Sequence, residues 1–389
     1  MKKFVPYFLL IIILGCLISL LSNQSKSKIE YIEIGNEGTK SIETVVFSKD
    51  KKPKNIILLI GDGTGLNQIT LSRIAIGGVN HRLAIDQMPF HGTSLTHSYN
   101  NIYTDSAAAA SAWATGIKTK NKFLSITHDK KIVPSIPEII SNKGYISGLV
   151  ATSSITHATP AAFYSHIDSR YKEEEIANQL LESPIKISLG GGTKFFNIEK
   201  AKENNLLITD IKNLSTENFL DSERVLGLFD EDGINRSPAK PTQLQMTKTA
   251  LEFLSFKSDE DSCNGFFLMS EGSQIDWAAH DNDAITMITE FIDFDKTIAM
   301  AMDFVTADKE TLLIITADHE TGGLQILGDK EGMVKVQWGT GRHTSIPVGV
   351  YAYGPGAHSF TGLMDNTDIH TLILDAIDAS NIEPSVCSD

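Results

Sequence analysis

Five short apolar runs constrain this chain more than any other feature, because each gives way within two residues to glycine or to polar residues. The runs are Asn55–Ile60, Gly144–Val150, Gly265–Met269, Thr311–Thr316 and Pro347–Tyr353. Their length and β-branched content read as buried strands, and helical patterns such as Gln243–Phe256 and Ile285–Val305 stand between them. Strands alternating with helices predict an α/β fold, a central and largely parallel sheet with helices on both faces. In such sheets ligands gather just past the carboxyl ends of the strands. The stretch Ser183–Pro241 is less regular and reads as surface connections and peripheral helices.

Four of the runs lead into residues able to bind a metal. The first opens into Gly61-Asp62-Gly63-Thr64-Gly65, and the second continues to His157 and Thr159. The third leads to Glu271, Asp276 and His280, the fourth directly to Asp318-His319. Asp276 and His280 are four apart and share one face if that segment is helical. Each signal is weak alone: Asp62 could simply form a glycine-rich turn, and the reversed pair His-Asp occurs elsewhere at His128-Asp129 and His280-Asp281. The glycine spacing around Asp62 is also wrong for a dinucleotide fingerprint. Four such endings on one sheet edge point to a metal centre. With Cys16, Cys263 and Cys387 as the only cysteines, it must rest on histidines and carboxylates.

A nucleophile candidate lies between the first two runs. Thr104-Asp105-Ser106 precedes an alanine-rich helical segment that Gly116 stops, so Thr104 or Asp105 can cap the helix and Ser106 falls in its first turn. Helix N-termini attract phosphate. A serine hydroxyl is a poor nucleophile until a base or a metal activates it. The formal charge of −14 argues against nucleic-acid recognition, which needs a basic face.

From about residue 53 to 380 the chain resembles the alkaline phosphatase family. The resemblance rests on Gly61–Gly65, Thr104–Gly116, His157–Ala162, Glu271–His280, Thr316–His319, His343-Thr344 and Ala352–Gly356, in that order. It implies hydrolysis of phosphate monoesters, with small phosphorylated substrates, two Zn2+ ions, one Mg2+ and a homodimer. It matches Asp276, His280 and His343 to one zinc, Asp62, Asp318 and His319 to the other, and Asp62, Thr159 and Glu271 to magnesium. Ser106 matches the nucleophile that becomes phosphorylated, and Arg170 the arginine that clamps phosphate. Zinc ions ~4 Å apart stabilise both the attacking and the leaving oxygen of an in-line displacement. A planar guanidinium suits phosphoryl oxygens and stays charged at alkaline pH.

Two positions next to substrate depart from well-known bacterial members. His157 stands where they have Asp and Trp277 where they have Lys, a pair that resembles some marine bacterial members. Without the carboxylate the magnesium site is expected to bind differently, and without the lysine product phosphate is expected to be held less tightly. Related phosphodiesterases or nucleotide pyrophosphatases share the two-metal frame. They usually use Thr as nucleophile and lack the Arg170 and Glu271 arrangement. A non-catalytic periplasmic metal-binding protein would leave Ser106 and Arg170 without purpose.

The N-terminus reads separately. Lys2-Lys3 precede the apolar stretch Phe4–Leu21, which makes residues 1–22 an export signal or membrane anchor and places the catalytic part in the periplasm or cell envelope. Cleavage, lipidation at Cys16 and retention as a membrane tether all stay open. Residues 23–52 read as a polar tether with room for one short strand, 53–380 as one catalytic domain and 381–389 as a tail. An oxidising compartment permits a Cys263–Cys387 disulfide, and nothing in the spacing demands it.

Overall fold

The expected runs become strands of one ten-stranded sheet in the computed structural model, which describes residues 28–387. The strands are β1 Ile29–Glu33, β2 Asn55–Gly61, β3 Phe90–Leu95, β4 Tyr145–Ser154, β5 Ile185–Gly191, β6 Leu206–Ile208, β7 Val225–Leu228 and β8 Gly265–Gly272. They continue as β9 Thr311–Thr316, β10 Glu320–Thr321, β11 Leu324–Lys330, β12 Met333–Trp338, β13 His343–Thr344, β14 Val348–Tyr353 and β15 Gly362–Asp365. The large sheet runs β15-β3-β14-β9-β2-β8-β4-β5-β7-β6. Every pairing in it is parallel except those of β14, which is antiparallel to both β3 and β9.

Both faces of the sheet are covered, which explains why β2 is apolar throughout rather than alternating. Ile57 and Leu59 enter a core shared with the helices Gln243–Glu260 and Ala284–Asp308. Ile56, Leu58 and Ile60 enter the opposite core, shared with the helices Ser106–Thr115 and Asn366–Ala376. Trp113 and Trp338, expected as core or rim aromatics, are both fully buried.

Register then places the site. Ile60 of β2 pairs with Thr316 of β9 on one side and with Glu271 of β8 on the other, while Ala151 of β4 also pairs with Glu271. Strands β2, β8 and β9 therefore end at one row, and β4 crosses it and runs on to Ser154. The residues that follow them must converge at the same edge.

One stretch differs from the sequence reading, and another is tied down more closely than that reading supposed. The region 183–241 is not only peripheral, since β5, β7 and β6 extend the main sheet there. β6 and β7 have only three and four residues, and β5 mixes Lys186 and Ser188 among its apolar residues, so none gives the unbroken apolar run that marked the others. The stretch read as a tether with room for one short strand holds β1, which pairs with β12 and buries Ile32, and Val45 N–H donates to the Tyr353 hydroxyl at 2.8 Å. The expected export segment lies outside the described residues. Among the described residues no helix is long and apolar enough to cross a membrane. Cys263 and Cys387 form a disulfide that ties the C-terminal segment to the start of β8.

One half-buried ion pair gives the scaffold a pH dependence. His166 contacts the Ser125 carbonyl through Nδ1 at 2.8 Å and Glu138 through Nε2 at 2.9 Å. Burial opposes the imidazolium, but the bonds to Glu138 and Ser125 outweigh it and raise the His166 pKa, while that of Glu138 is lowered. A raised histidine pKa adds stability that is fully present below the unfolded value and is lost as pH rises through the folded one. The stability gap between wild type and His166→Ala is therefore expected to shrink by roughly 1 kcal/mol between pH 6 and pH 10. Urea unfolding at the two pH values measures it, and a constant gap would contradict this pairing.

Candidate metal centre

At the carboxyl edge of the sheet, Asp62, Asp318 and His319 offer one ligand atom each, all within 4.8 Å of one another. Asp276, His319 and His343 form a second group of the same tightness. Four of these residues are buried and His343 is half-buried. His280, the remaining residue expected as a zinc ligand, is drawn in beside the second group. Its Nε2 lies 3.0 Å from His343 Nε2 and 3.3 Å from Asp276 Oδ2.

Local backbone explains the spacing of these residues. Gly63 has φ 70°, and a Cβ there would come within 2.8 Å of the Asp276 Cα, so glycine lets the Asp62 loop close over the neighbouring helix. That helix, Gln274–His280, carries Asp276 and His280 on one face, as their spacing predicts. His319 follows β9 directly, and His343 is held by the small β10–β13 ladder.

Outer hydrogen bonds at Nδ1 turn the Nε2 of each histidine inward, toward the carboxylates. His280 Nδ1 bonds the Gly341 carbonyl at 2.9 Å and His343 Nδ1 the Thr104 carbonyl at 2.8 Å. His319 Nδ1 bonds the Thr321 hydroxyl at 3.1 Å. A carbonyl can only accept, so the Nδ1 atoms of His280 and His343 carry protons, and their Nε2 atoms meet at 3.0 Å beside the Asp276 carboxylate. That arrangement calls for a shared cation. Asp318 is oriented in the same way. Its Oδ1 accepts from Gly63 N–H and His319 N–H, which leaves Oδ2 to face His319 Nε2 at 2.8 Å without hydrogen-bond geometry.

Buried atoms without hydrogen-bond partners mark where cations fit. They include Asp62 Oδ1, Asp318 Oδ2, His319 Nε2, Glu271 Oε1 and Thr159 Oγ1. Buried polar atoms are normally satisfied, and these belong to residues expected as metal ligands. Electrostatics agrees. Burial, and then the carboxylates of Asp318, Asp276 and Glu271, push the Asp62 pKa well above the usual carboxylate range. Glu271 is pushed up to about 7, chiefly by burial. Divalent cations would remove that penalty. Thr159 and Asp62 both border Glu271, whose Oε2 accepts from the Ser273 hydroxyl at 2.6 Å, so Oε1 is left for an ion. Hard oxygen donors of this kind suit Mg2+ and the mixed nitrogen–oxygen groups suit Zn2+.

Ser106 starts the helix Ser106–Thr115, and its Oγ lies 3.4 Å from Asp62 Oδ2. Of the two candidate caps it is Asp105 that acts, accepting from Ala108 N–H at 3.1 Å. Asp105 also holds Arg170, whose Nη1 is 3.3 Å from its Oδ2. The other amino group of Arg170 donates to His157 Nε2 at 3.0 Å. Burial, and then the Arg170 charge, lower the His157 pKa to about 3, so the imidazole stays neutral and accepts. Trp277 is half-buried, edge-on to His157 with ring centroids 5.8 Å apart. Lys122, at φ 76°, ties these parts together: its N–H donates to Asp105 Oδ2 and its carbonyl accepts from Arg170 N–H. Sequence reasoning missed Thr321, Ser273 and Lys122 as supports. A hydroxyl two residues beyond His319 and another two beyond Glu271 were the only signals.

Comparison with known proteins agrees with the residue pattern. Residues 53–334 match the family model for alkaline phosphatase. Alkaline phosphatase 4 of Bacillus subtilis is 32% identical, over 82% of this chain and 88% of the relative. The alkaline phosphatase structure from the Antarctic bacterium TAB5 is 35% identical with a TM-score of 0.79, covering 85% of this chain and 99% of that one. A variant of the TAB5 enzyme, with one histidine changed to glutamate and Mg bound in its M3 site, is 34% identical with a TM-score of 0.76, over 84% and 99% of the two chains. The sheet, the ordered motifs and these relatives agree, and the chain belongs to the alkaline phosphatase family, metal-binding hydrolases of phosphate monoesters.

Proposed function

We propose that this chain hydrolyses phosphate monoesters through a phosphoserine at Ser106, with two zinc ions and one magnesium ion as cofactors. The observation that carries the reading is the convergence of partnerless buried ligand atoms around Asp62, with the Ser106 hydroxyl 3.4 Å from that carboxylate. Asp276, His280 and His343 would hold one zinc, and Asp62, Asp318 and His319 the other. Asp62, Thr159 and Glu271 would hold magnesium. When bound, the ions supply Lewis acidity for the attacking and leaving oxygens.

The residues of the chain do the rest. Ser106 Oγ attacks phosphorus and the ester oxygen leaves as the alcohol; water then cleaves the phosphoserine and releases inorganic phosphate. Arg170, aligned by Asp105 and His157, clamps two phosphoryl oxygens through its planar fork. The first peptide N–H groups of the Ser106 helix favour the same anion. His157 and Trp277 line the substrate side of Arg170. With His157 in place of a carboxylate, the third site is short of one hard ligand. The TAB5 variant, in which a histidine is replaced by glutamate and Mg is bound in the M3 site, supports the view that a histidine-for-carboxylate choice bears on magnesium occupancy in this family. We read residues 53–380 as one catalytic domain and, from Lys2-Lys3 and Phe4–Leu21, the protein as exported.

Assays of a simple aryl monoester and the matching diester, before and after chelation and zinc readdition, test this. The monoester is expected to be preferred by at least about 10²-fold, with activity lost on chelation and recovered with zinc. Equal rates on both esters, or full activity after chelation, would sink it.

A further inference from the structure

Thr321 stands where the two proposed zinc ligand sets meet, and it belongs to neither. Its side chain is fully buried. Its hydroxyl is 3.1 Å from His319 Nδ1 and also contacts Asp276 Oδ1. One hydroxyl carries one proton. The carboxylate can only accept, so Thr321 donates to Asp276 and accepts from His319 Nδ1–H. That single bond pair keeps the His319 Nε2 lone pair free for the Asp62–Asp318 group. It also fixes the carboxylate of Asp276, which belongs with His280 and His343.

The backbone of Thr321 is tied as firmly. Its N–H donates to the Gly63 carbonyl at 3.1 Å, next to Asp62, and its own carbonyl accepts from Gln68 Nε2 at 2.7 Å. In the β10–β13 ladder Thr321 is the register partner of His343. This one residue therefore touches or adjoins ligands of both sets, on four separate segments of the chain.

We propose that Thr321 is a positioning residue that orients both zinc ligand sets at once, so that its hydroxyl sets the zinc affinity of the two sites together. The inference rests on the two-zinc reading above. Loss of an outer hydrogen-bond partner typically weakens metal binding ~10–100-fold, and here the loss should register at both sites. The neighbouring Glu320 does not share this position. Its carboxylate accepts from Gln68, Thr344 and the Gly323 and Leu324 N–H groups and serves the loop itself.

Chelator competition on the zinc-loaded protein, read as zinc retained per chain against free zinc, tests the proposal in wild type, Thr321→Val and Thr321→Ser. Thr321→Val is expected to weaken both zinc-binding steps by ~10–100-fold, and Thr321→Ser to recover both to within a few-fold of wild type. If the valine is not tolerated, Thr321→Ala carries the same expectation against the serine variant. Wild-type affinities in the variant lacking the hydroxyl, a loss confined to one step, or an equal loss in Thr321→Ser would overturn the proposal. A wild-type protein that takes up no zinc would instead overturn the metal reading beneath it.

Discussion

Ser106→Ala is expected to lower monoester turnover by on the order of 10³-fold or more while leaving zinc content unchanged. Ser106 is 2% exposed and sits at the first position of its helix, with Asp105 as cap and Asp62 Oδ2 at 3.4 Å. Removing Oγ takes away the one nucleophile at this point and no proposed metal ligand. The helix keeps its cap, because the Asp105 bond to Ala108 N–H does not involve the serine side chain. The fold and the metal centre should therefore survive, and residual turnover reports what the metals and Arg170 achieve with water alone. Rates on an aryl monoester and zinc per chain are the two measurements. Activity near wild type would remove the serine mechanism, whereas loss of zinc together with activity would show that Ser106 serves the metal centre instead.

Asp62→Asn is expected to act in opposite directions on function and on the stability of the metal-free protein. In the proposed site Asp62 would be shared by one zinc group and the magnesium group, so the change should reduce turnover by more than about 10²-fold through metal loss. Yet the metal-free protein should gain stability. Burial and three neighbouring carboxylates push the Asp62 pKa up, which means that the folded chain carries this charge at a cost once no cation is bound. A folded pKa raised above the unfolded value makes that cost largest at alkaline pH, where both states are ionised. Thermal melts at pH 8, with chelator and with zinc, separate the two effects. The variant should melt above wild type in chelator and lose the zinc-dependent rise that wild type shows. A variant less stable than wild type in chelator would show that Asp62 supports the fold by itself.

Much of this was legible in the residues because parallel strands carry a strong local signal. A strand buried on both faces must be apolar throughout, so β2, β8 and β9 could be marked from Asn55–Ile60, Gly265–Met269 and Thr311–Thr316 alone. The residues after them are polar for a reason that packing does not supply, and this exposed Asp62, Glu271 and Asp318-His319 as candidates. Strands β5, β6 and β7 were not legible. Their stability comes from pairing with a sheet edge already formed, which is a non-local contact that leaves little local pattern.

Chain order and residue type determined the α/β class, a nucleophile candidate at a helix start and a candidate ligand set without cysteine. Tertiary structure alone decided that Asp105 rather than Thr104 caps the Ser106 helix and that Cys263 bonds Cys387. It also decided that His157 accepts from Arg170 and that Thr321 stands between His319 and Asp276. These are matters of direction. A residue type fixes which bonds a side chain is able to make, whereas the partner that lies within 3 Å of each donor is set by strand register and loop closure across hundreds of residues.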